Sequence, residues 1–385
     1  MNQNLEETIQ QLRVAAPRYA KSERYYRGEH YLAFASEKFT NTFGSVFREF
    51  ALNLCPAVCD AIRDRLRITG FSETAGNANT RVSTIWHRSR MQLRSAEVHR
   101  EALVNGDAFV IVWPDETGNA EIHPQRAAAC TVTYADEHPG RIERAAKYWR
   151  TRDRRTRLNI FFPDRVEKYI SAKPADGFLP EAREFEPFPE GDTGSVVPNP
   201  FGRVPVFHFA NNADLGAFGR SELEAAIPLQ DGLNKAALDM MVAMEFSAFR
   251  QRWAAGIDVK FDEDGNAIPP FKSGIDQLWV SQNPEARFGD FGAADLEQFL
   301  KVKDSFRIDI ASVSGTPMYY MLPHSRGFPS GEALRKAESR FTAKVRDRQT
   351  GFGETWANAM EFALAIEGIT NTRLTTNWEE PFETI

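Results

Sequence analysis

The sequence predicts a mixed protein of the α+β class. Apolar residues recur at helical spacing over residues 1–104 and over most of 220–366, which indicates amphipathic helices in both parts. Between them, residues 106–215 change to short β-branched and aromatic runs separated by turn residues, which is typical of strands. Helices and strands that are grouped in separate parts of a chain are typical of the α+β class.

The composition excludes several classes of protein. With 385 residues, 42% apolar and 26% charged, the chain is long enough to bury a core without disulfides or metals. The net charge of −6, from 47 basic and 53 acidic residues, argues against a basic coat that covers nucleic acid. Three cysteines cannot form a disulfide framework, and no signal peptide or membrane-spanning stretch is recognisable. We therefore expect a protein of a reducing compartment.

The first 104 residues are predicted to be mainly helical. Residues 5–18 have the pattern of an amphipathic helix. A second helix is predicted over about 43–66, bent or split at Pro56 and stopped by Gly70. A third helix is predicted over roughly 80–104.

Residues 106–215 are predicted to form strands. A run at 108–113, a turn at 115–119 and a return at 120–123 have the pattern of a hairpin. Further strands are predicted at 129–134, 145–149, 158–162 and 166–170. Residues 174–200 contain six prolines and are predicted to be a long irregular loop.

The next part of the chain is predicted to contain two helices that flank a small insert. The first helix covers 220–252, with Pro228 near its start, and the second covers about 294–313. The insert at 254–292 has seven acidic and three basic residues, and the motif at 262–266 (DEDGN) predicts a hairpin turn.

The last part is predicted to be a non-regular segment followed by the longest helix. Residues 315–329 contain three prolines and two glycines, so regular structure is not expected there. Ser330 is suited to the N-cap of the helix that follows. The apolar stripe of this helix includes Trp356 and is interrupted around Arg348, and a polar tail follows Trp378.

Searches for catalytic and metal-binding motifs give no candidate enzyme site. The chain has no P-loop, dinucleotide-binding loop, nucleophile elbow or zincin motif. Cys55 and Cys59 are spaced to share a metal on a helix, but no further ligand completes the site. The acidic turn at 262–266 resembles the start of a calcium loop without its closing glutamate. We therefore expect no cofactor, no metal and no enzymatic activity.

Two runs of basic residues have two interpretations. Residues 141–157 contain eight bases and two acids, and residues 335–348 contain six bases and two acids. Each could be a solvated or inter-subunit salt-bridge face, or a surface that contacts phosphates. The candidate basic contact face on the longest helix is Arg335, Lys336, Arg340 and Lys344.

A resemblance to a known family is carried by a series of short motifs in a fixed order. Together the motifs extend over residues 25–378, and they continue at the end of the chain with Phe352, Gly353 and Trp356. The main ones are 25–30 (YYRGEH), 53–60 (NLCPAVCD), 102–110 (ALVNGDAFV), 199–205 (NPFGRVP), 219–223 (GRSEL), 229–235 (LQDGLNK), 314–317 (SGTP) and 330–334 (SGEAL). In this order they resemble the portal proteins of tailed bacteriophages, in the SPP1-like class found in actinobacteriophages.

The resemblance implies a ring of subunits, usually twelve, at one vertex of a capsid in the virion. Double-stranded DNA would pass through its central channel without sequence specificity, during packaging and ejection. The implied partners are further copies of the chain, the terminase large subunit, a head–tail adaptor, and the major capsid and scaffolding proteins. A membrane is not among them, and assembly in the host cytoplasm is expected.

The resemblance also implies a division of the chain into parts. These are the wing (1–217), first stem helix (218–253), clip (254–292), second stem helix (293–315), tunnel loop (316–329), a long helix joining wing and crown (330–368) and a C-terminal tail (369–385). Only a few residues follow Trp378, where such portals usually continue into further helices, so a short or minimal crown is expected.

Two sets of site residues follow from the resemblance. The implied tunnel-loop residues, which would face the DNA channel, are Tyr319, Tyr320, His324, Ser325, Arg326 and Phe328. The implied clip residues, which would contact motor and adaptor, are Asp258, Lys260, Asp262, Glu263, Asp264 and Lys272.

Two alternative functions remain open at this point. One is a head–tail connector, adaptor or minor capsid protein without a channel. The other is a metal-dependent nucleic-acid-processing enzyme, which would need two or three converging carboxylates. The sequence offers only the acids of the 262–264 turn for such a site.

Overall fold

The computed structural model describes two compact units. The described residues are 2–38, 40–42, 51–73, 80–174, 177–189, 194–215, 217–248, 252–257, 260–261, 267–268, 283–290, 295–322 and 331–381. Unit 1 comprises residues 1–30, 53–230 and 308–385, and unit 2 comprises 31–52 and 231–307. The mixture of helices and antiparallel sheets confirms the predicted α+β class.

The described residues form seven α-helices and fifteen strands. The helices are α1 (Gln3–Arg27), α2 (Cys55–Arg63), α3 (Thr80–Arg88), α4 (Met91–Asn105), α5 (Ile227–Ala248), α6 (Leu296–Ser314) and α7 (Gly331–Ile366). The strands of unit 1 are β1 (Ile68–Glu73), β2 (Asp107–Pro114), β3 (Ala120–Gln125), β4 (Cys130–Ala135), β5 (His138–Arg150), β6 (Thr156–Phe161), β7 (Arg165–Ser171), β8 (Phe185–Pro187), β9 (Val196–Pro198), β10 (Val206–Ala210) and β15 (Leu374–Trp378). Those of unit 2 are β11 (Arg252–Ala255), β12 (Lys260–Phe261), β13 (Ala267–Ile268) and β14 (Arg287–Asp290).

Three antiparallel sheets build unit 1. The largest has the order β4-β5-β6-β7-β8, with β9 also paired to β7. A second has the order β10-β2-β3, and β1 pairs with β15. One apolar cluster joins the first two sheets and includes Phe109, Val132 and Val206. A second cluster packs α1 on the large sheet through residues such as Leu12 and Leu158, so alternating strand residues fill both cores.

A buried carboxylate connects α1 to the second sheet. Asp107 is fully buried, and it accepts hydrogen bonds from Tyr19 Oη (2.8 Å), Arg18 Nη2 (2.6 Å) and the backbone N–H of Gly219 (2.7 Å). Arg18 and Tyr19 bind Oδ2, whereas the Gly219 N–H binds Oδ1, and His208 Nε2 also lies 2.7 Å from Oδ1. Because the carboxylate is fully partnered, it can be buried without the cost of an unpaired charge.

Two glycines allow a close approach of backbones beside this carboxylate. A Cβ placed on Gly219 would lie 1.9 Å from the carbonyl oxygen of Gly106, and Gly106 itself has φ +90°. No other residue type fits at either position, because the contact partner is backbone that cannot turn away. The predicted motif at 102–110 therefore ends α4 and starts β2 through a glycine that the fold requires.

Four details predicted for the N-terminal helices were wrong. The helix expected over 43–66 begins only at Cys55, and Pro56 lies in its first turn, where a missing N–H costs nothing, rather than bending it. Residues 43–50 lie outside the described part. Gly70 does not stop a helix but lies inside β1, next to an irregularity in its pairing with β15. The helix expected over 80–104 is two helices, because Arg90 has φ +56° and breaks the helical path between α3 and α4.

The strand predictions for 106–171 are confirmed, and β5 is longer than expected. The region 174–200 is less irregular than predicted, because β8 and β9 both pair with β7. A strand that was not predicted, β15, lies between α7 and the polar tail. This strand pairs with β1, and alternate residues are buried, so Leu374 is buried while Thr375 is exposed.

The predicted helices of the second half are found with changed bounds. The helix expected at 220–252 begins at Ile227, and Pro228 occupies its first turn. In unit 2, β12 and β13 pair antiparallel, and the turn predicted between them at 262–266 lies outside the described residues. Within α7, Trp356 is fully buried, as the apolar stripe predicted.

Candidate functional site

The candidate site is the segment between α6 and α7 together with the residues that hold it. Helix α6 ends at Ser314, and Gly315 follows with φ +66°, a left-handed conformation that suits glycine. Pro317 then fixes an extended backbone, and Met318–Tyr320 forms a short 3₁₀ turn. This turn departs from the prediction that 315–329 has no regular structure.

Two adjacent tyrosines attach the turn to the body of unit 1. The rings of Tyr319 and Tyr320 are stacked, with centroids 4.7 Å apart. The hydroxyl of Tyr319 donates to Glu338 on α7, and the hydroxyl of Tyr320 accepts from Arg65 Nη1 at 2.6 Å. The guanidinium of Arg65 also lies over the ring of Phe341, 4.9 Å from its centroid. The two tyrosines are therefore fixed anchors at the start of the predicted tunnel loop.

The acidic partner of Tyr319 is in an unfavourable environment for charge. Glu338 is 3% exposed, and burial raises its pKa, with the charge of Arg65 acting in the opposite direction. Its Oε1 lies 3.7 Å from Arg65 Nη2, and its Oε2 has no hydrogen-bond partner among the described residues. The tyrosine hydroxyl is thus the closest group that stabilises this carboxyl.

A second buried carboxylate neutralises part of the basic face of α7. Glu222 Oε2 lies 2.5 Å from Lys344 Nζ, and Oε1 lies 2.8 Å from Arg348 Nη2. Burial alone would raise the pKa of Glu222, but the two cations outweigh it and the pKa is lowered. Lys344 also donates to the carbonyl oxygen of Ser314 at 2.7 Å, so the end of α6 is held to α7.

The four residues of the candidate basic contact face are placed differently. Arg340 is exposed, whereas Lys344 is partly buried and bound to Glu222. Arg335 and Lys336 lie on α7, and their side chains are outside the described part. Arg340 and Lys344 line one cleft of about 550 Å³ together with Arg220, whose guanidinium is paired with Asp214. Carboxylates therefore offset many of the cations around this cleft.

Of the clip residues, the structure describes only the flanks and the backbone of one member. Lys260 lies on β12, with its side chain outside the described part, and it is the only one of the six that falls within the described ranges. In the flanking pair β11–β14, Trp253 is 40% exposed and its indole covers Gly289. The remaining clip residues, outside those ranges, are Asp258, Asp262, Glu263, Asp264 and Lys272.

The tunnel-loop residues divide in the same way. Tyr319 and Tyr320 are stacked on each other in the short turn before α7, as described above. The other four, His324, Ser325, Arg326 and Phe328, lie outside the described residues, as does Ser330, the expected N-cap of α7.

Sequence reasoning missed three residues that hold this site. Glu222, Arg65 and Glu338 were not singled out as site residues, although the first two lie within or next to motifs at 219–223 and 53–60. One signal was present in the sequence. The apolar stripe of α7 is interrupted at Arg348, and a cation on a buried helix face indicates a buried carboxylate elsewhere in the fold.

Metal sites and membrane spans were also sought in the described ranges. No group of three or more His, Cys, Asp or Glu side chains is arranged there to hold a metal ion. None of the helices among these residues is long and apolar enough to cross a lipid bilayer.

Comparisons with known proteins agree with the resemblance noted above. The family model for phage portal proteins, SPP1 Gp6-like, matches residues 5–382. The portal protein of Mycobacterium phage D29 is 24% identical over 339 residues, covering 84% of this chain and 67% of the relative. The portal protein of Mycobacterium phage L5 is 23% identical over 344 residues, with the same two coverages of 84% and 67%.

A solved structure has a similar fold. A chain in the neck of an empty GTA particle, computed with C6 symmetry, matches with a TM-score of 0.50 and 15% sequence identity. The match covers 84% of this chain and 79% of the other. At this identity the likeness concerns the fold alone.

Proposed function

The chain belongs to the SPP1 Gp6-like family of phage portal proteins, and we propose that it forms a ring-shaped channel at one vertex of a capsid. The ring would have about twelve copies, as the family resemblance implies, and double-stranded DNA would pass through it during packaging and ejection. The match of a single family model over residues 5–382 carries this proposal, because it includes both units and the segment between α6 and α7.

The surface of α6 supports self-assembly. Four large apolar side chains of this helix, Leu300, Val302, Ile308 and Val313, are between 40% and 52% exposed in a single chain. With roughly 100° of rotation per residue, Leu300 and Ile308 lie on one side of the helix and Val302 and Val313 on another. In a ring each subunit has two neighbours that contact different surfaces, so two exposed apolar sides suit this arrangement.

The electrostatics of the tunnel region suit passage of DNA rather than tight binding. Each phosphate that a protein neutralises adds salt-dependent affinity, which would hold DNA in place. Around the α7 cleft, Glu222 binds Lys344 and Arg348, so these cations are not available as strong phosphate ligands. The net charge of −6 points in the same direction.

Further parts of the proposal follow the family resemblance. The small antiparallel pairs of unit 2 would belong to the clip, which would dock the terminase large subunit and later the head–tail adaptor. Residues 1–217 would form the wing and contact capsid and scaffolding proteins, and residues 218–253 and 293–315 the stem. The assembled ring would be part of the virion, after assembly in the host cytoplasm.

The first experiment is the native mass and negative-stain image of the purified chain. We expect a closed ring of about a dozen copies with an axial hole. Replacing Leu300 and Val302 with glutamate should shift the mass to smaller species, because a charge would be buried at each neighbour contact. The matched control is Gln10→Glu, which adds a charge at an exposed polar position of α1, away from α6, and should leave the ring intact.

The outcome also separates the two alternatives. A chain that stays monomeric alone and with scaffold and capsid proteins, but binds finished heads, would be an adaptor or minor capsid protein. Cleavage of DNA that requires a divalent metal would favour the nucleic-acid-processing enzyme.

A further inference from the structure

A cleft between the two larger sheets of unit 1 has no role in the channel proposed above. Its volume is about 260 Å³. Its lining comes from six strands. Five of them, β2, β3, β5, β6 and β7, each contribute a pair of residues at positions i and i+2, and β9 contributes Val197. The ten paired residues are Ile111 and Trp113, His123 and Gln125, Lys147 and Trp149, Asn159 and Phe161, and Val166 and Lys168. Because residues i and i+2 share a face of a strand, the cleft is a built feature of both sheets.

The lining of the cleft combines the indole rings of two tryptophans with the positive charge of a lysine. Trp113 and Trp149 are both partly exposed, and Lys147 Nζ lies 5.3 Å from the centroid of the Trp149 ring. No described residue that lines the cleft is acidic. Burial lowers the pKa of Lys147. Lys147 forms no ion pair among the described residues, whereas another lining residue, His123, has its Nε2 3.5 Å from Oε2 of Glu121. A partly buried cation in this setting is stabilised by an anion from outside.

The volume of the cleft and the groups around the Trp149 indole decide which ligand fits. Pockets for small molecules usually have about 300–1,000 Å³, so the volume of this cleft suits a single anchoring side chain rather than a whole metabolite. A nucleobase would need an open ring face on which to stack. The Trp149 ring already has Lys147 on it and Arg157 at 5.2 Å, so the arrangement favours a protein segment over single-stranded nucleic acid.

We propose that this cleft docks an acidic peptide segment of a partner protein through one aromatic or large aliphatic side chain. The anchor would enter the cleft beside the two tryptophans, and a carboxylate next to it in the peptide would pair with Lys147. Apolar anchoring with flanking charge pairs is a common way to recognise short segments, because the pocket supplies affinity and the charges supply specificity. The proposal concerns the wing region and does not depend on the ring or the channel.

The test measures binding of a labelled peptide, Ser-Glu-Asp-Phe-Glu-Asp-Ser, to the full chain by fluorescence anisotropy. We expect saturable binding, a loss of at least tenfold when the peptide phenylalanine becomes alanine, and a similar loss with Lys147→Glu. Lys147→Met, which keeps the apolar stem on Trp149, should lose at least fivefold. The control Lys21→Glu makes the same charge change at an exposed position of α1 and should stay within twofold.

A charge swap makes the test specific. The peptide Ser-Lys-Lys-Phe-Lys-Lys-Ser should bind Lys147→Glu more tightly than it binds the native chain. The proposal would be overturned if the acidic peptide fails to saturate the native chain by about 1 mM, or if it binds native chain and both Lys147 variants equally.

Other occupants would also be detected. Binding of a twelve-residue oligo(dT) that depends on Lys147, with no binding of peptide, would assign the cleft to nucleic acid. A change in sedimentation of Lys147→Glu, again without peptide binding, would assign it to a second copy of the chain. Either result would overturn the proposal.

Discussion

Glu222 illustrates how one buried charge can join distant parts of the chain. It binds Lys344 on one side and Arg348 on the other, and the latter lies 126 residues away in the sequence. A glutamate with two cations around it is stable in the interior only while the whole group is complete. Its position links the turn before α5 to the middle of α7.

We predict that Glu222→Gln lowers the free energy of unfolding by about 3–5 kcal/mol, the usual cost of leaving buried partners without their counter-charge. The measurement is guanidinium unfolding at neutral pH. The matched control is Glu224→Gln, two residues away and exposed, which should change stability by less than about 0.5 kcal/mol. Equal effects of the two changes would show that the triad contributes nothing specific.

His99 provides a pH-dependent contribution to stability. It is fully buried, accepts a hydrogen bond at Nε2 from Trp356 Nε1 at 2.9 Å, and burial lowers its pKa to about 3. In the unfolded chain a histidine titrates near 6.5, so between these values the unfolded state binds more protons. Stability is therefore expected to fall as the pH decreases from about 6.5 towards 3.

We predict that the free energy of unfolding falls between pH 7 and pH 5 by about 2 kcal/mol more in the native chain than in the His99→Gln variant. The difference arises because a buried neutral histidine costs roughly 1.4 kcal/mol per pH unit below 6.5. The comparison uses the pH dependence of each protein, so a constant loss of stability in the variant does not affect it. Identical pH dependence of the two proteins would contradict the assignment.

Single residues were predictable where the signal lay in one helix. Trp356 was expected in the core from its place in the apolar stripe of α7, and it is fully buried. The interruption at Arg348 was visible too, but its partner Glu222 could not be found, because the sequence does not report which distant residues meet in space. The anchoring of Tyr319 on Glu338 was missed for the same reason.

Between helices, a glycine sets how closely α5 and α6 approach each other in unit 2. A Cβ at Gly232 would lie 2.6 Å from Cε1 of Phe306, which is closer than side chains tolerate. Glycine weakens a helix, so its presence inside α5 has a packing reason rather than a conformational one.

We predict that Gly232→Ala destabilises the chain by up to about 2 kcal/mol, because the strain of about 1–3 kcal/mol from overpacking exceeds the gain of up to 1 kcal/mol in helix propensity. Gly351→Ala in α7 is the matched control, since nothing lies within 4 Å of a Cβ there. It should stabilise by up to about 1 kcal/mol. Thermal unfolding measures both, and stabilisation by both would mean that Phe306 turns aside freely.

The elements themselves were largely predictable, and their ends were not. Period-two patterns identified the strands from β2 to β7, because one face of each is buried. The break between α3 and α4 was invisible, since Arg90 is not a residue that usually marks a left-handed turn. Strand β15 was missed because its partner β1 lies more than 300 residues earlier, as in the contact from Ser72 to Asn377 with a separation of 305.

For the assembled molecule, the tyrosine anchors change how the tunnel loop should be tested. A deletion that includes Tyr319 and Tyr320 would also remove the contacts to Glu338 and Arg65, so a folding defect would be confused with a loss of function. We predict that deleting 323–328, with both tyrosines kept, preserves the ring but reduces the DNA packaged per particle at least tenfold. Ring images and packaged DNA are measured on the same preparation.

The matched control replaces 323–328 by six residues of glycine and serine, which keeps the length of the segment. Normal packaging by the deletion variant would remove the proposed role of this segment in DNA passage. Loss of the ring would show instead that the segment contributes to folding or assembly.

Helix α7 has a mechanical consequence. Its 36 residues extend over about 54 Å at 1.5 Å per residue. Near the start of the helix Glu338 accepts a hydrogen bond from Tyr319, and just past its end Glu367 forms ion pairs with Arg81 and Arg88. A long helix that is held by side-chain contacts near both ends can transmit a small displacement at one end to the contacts at the other. A displacement of Tyr319 would therefore strain the ion pairs of Arg81 and Arg88 with Glu367.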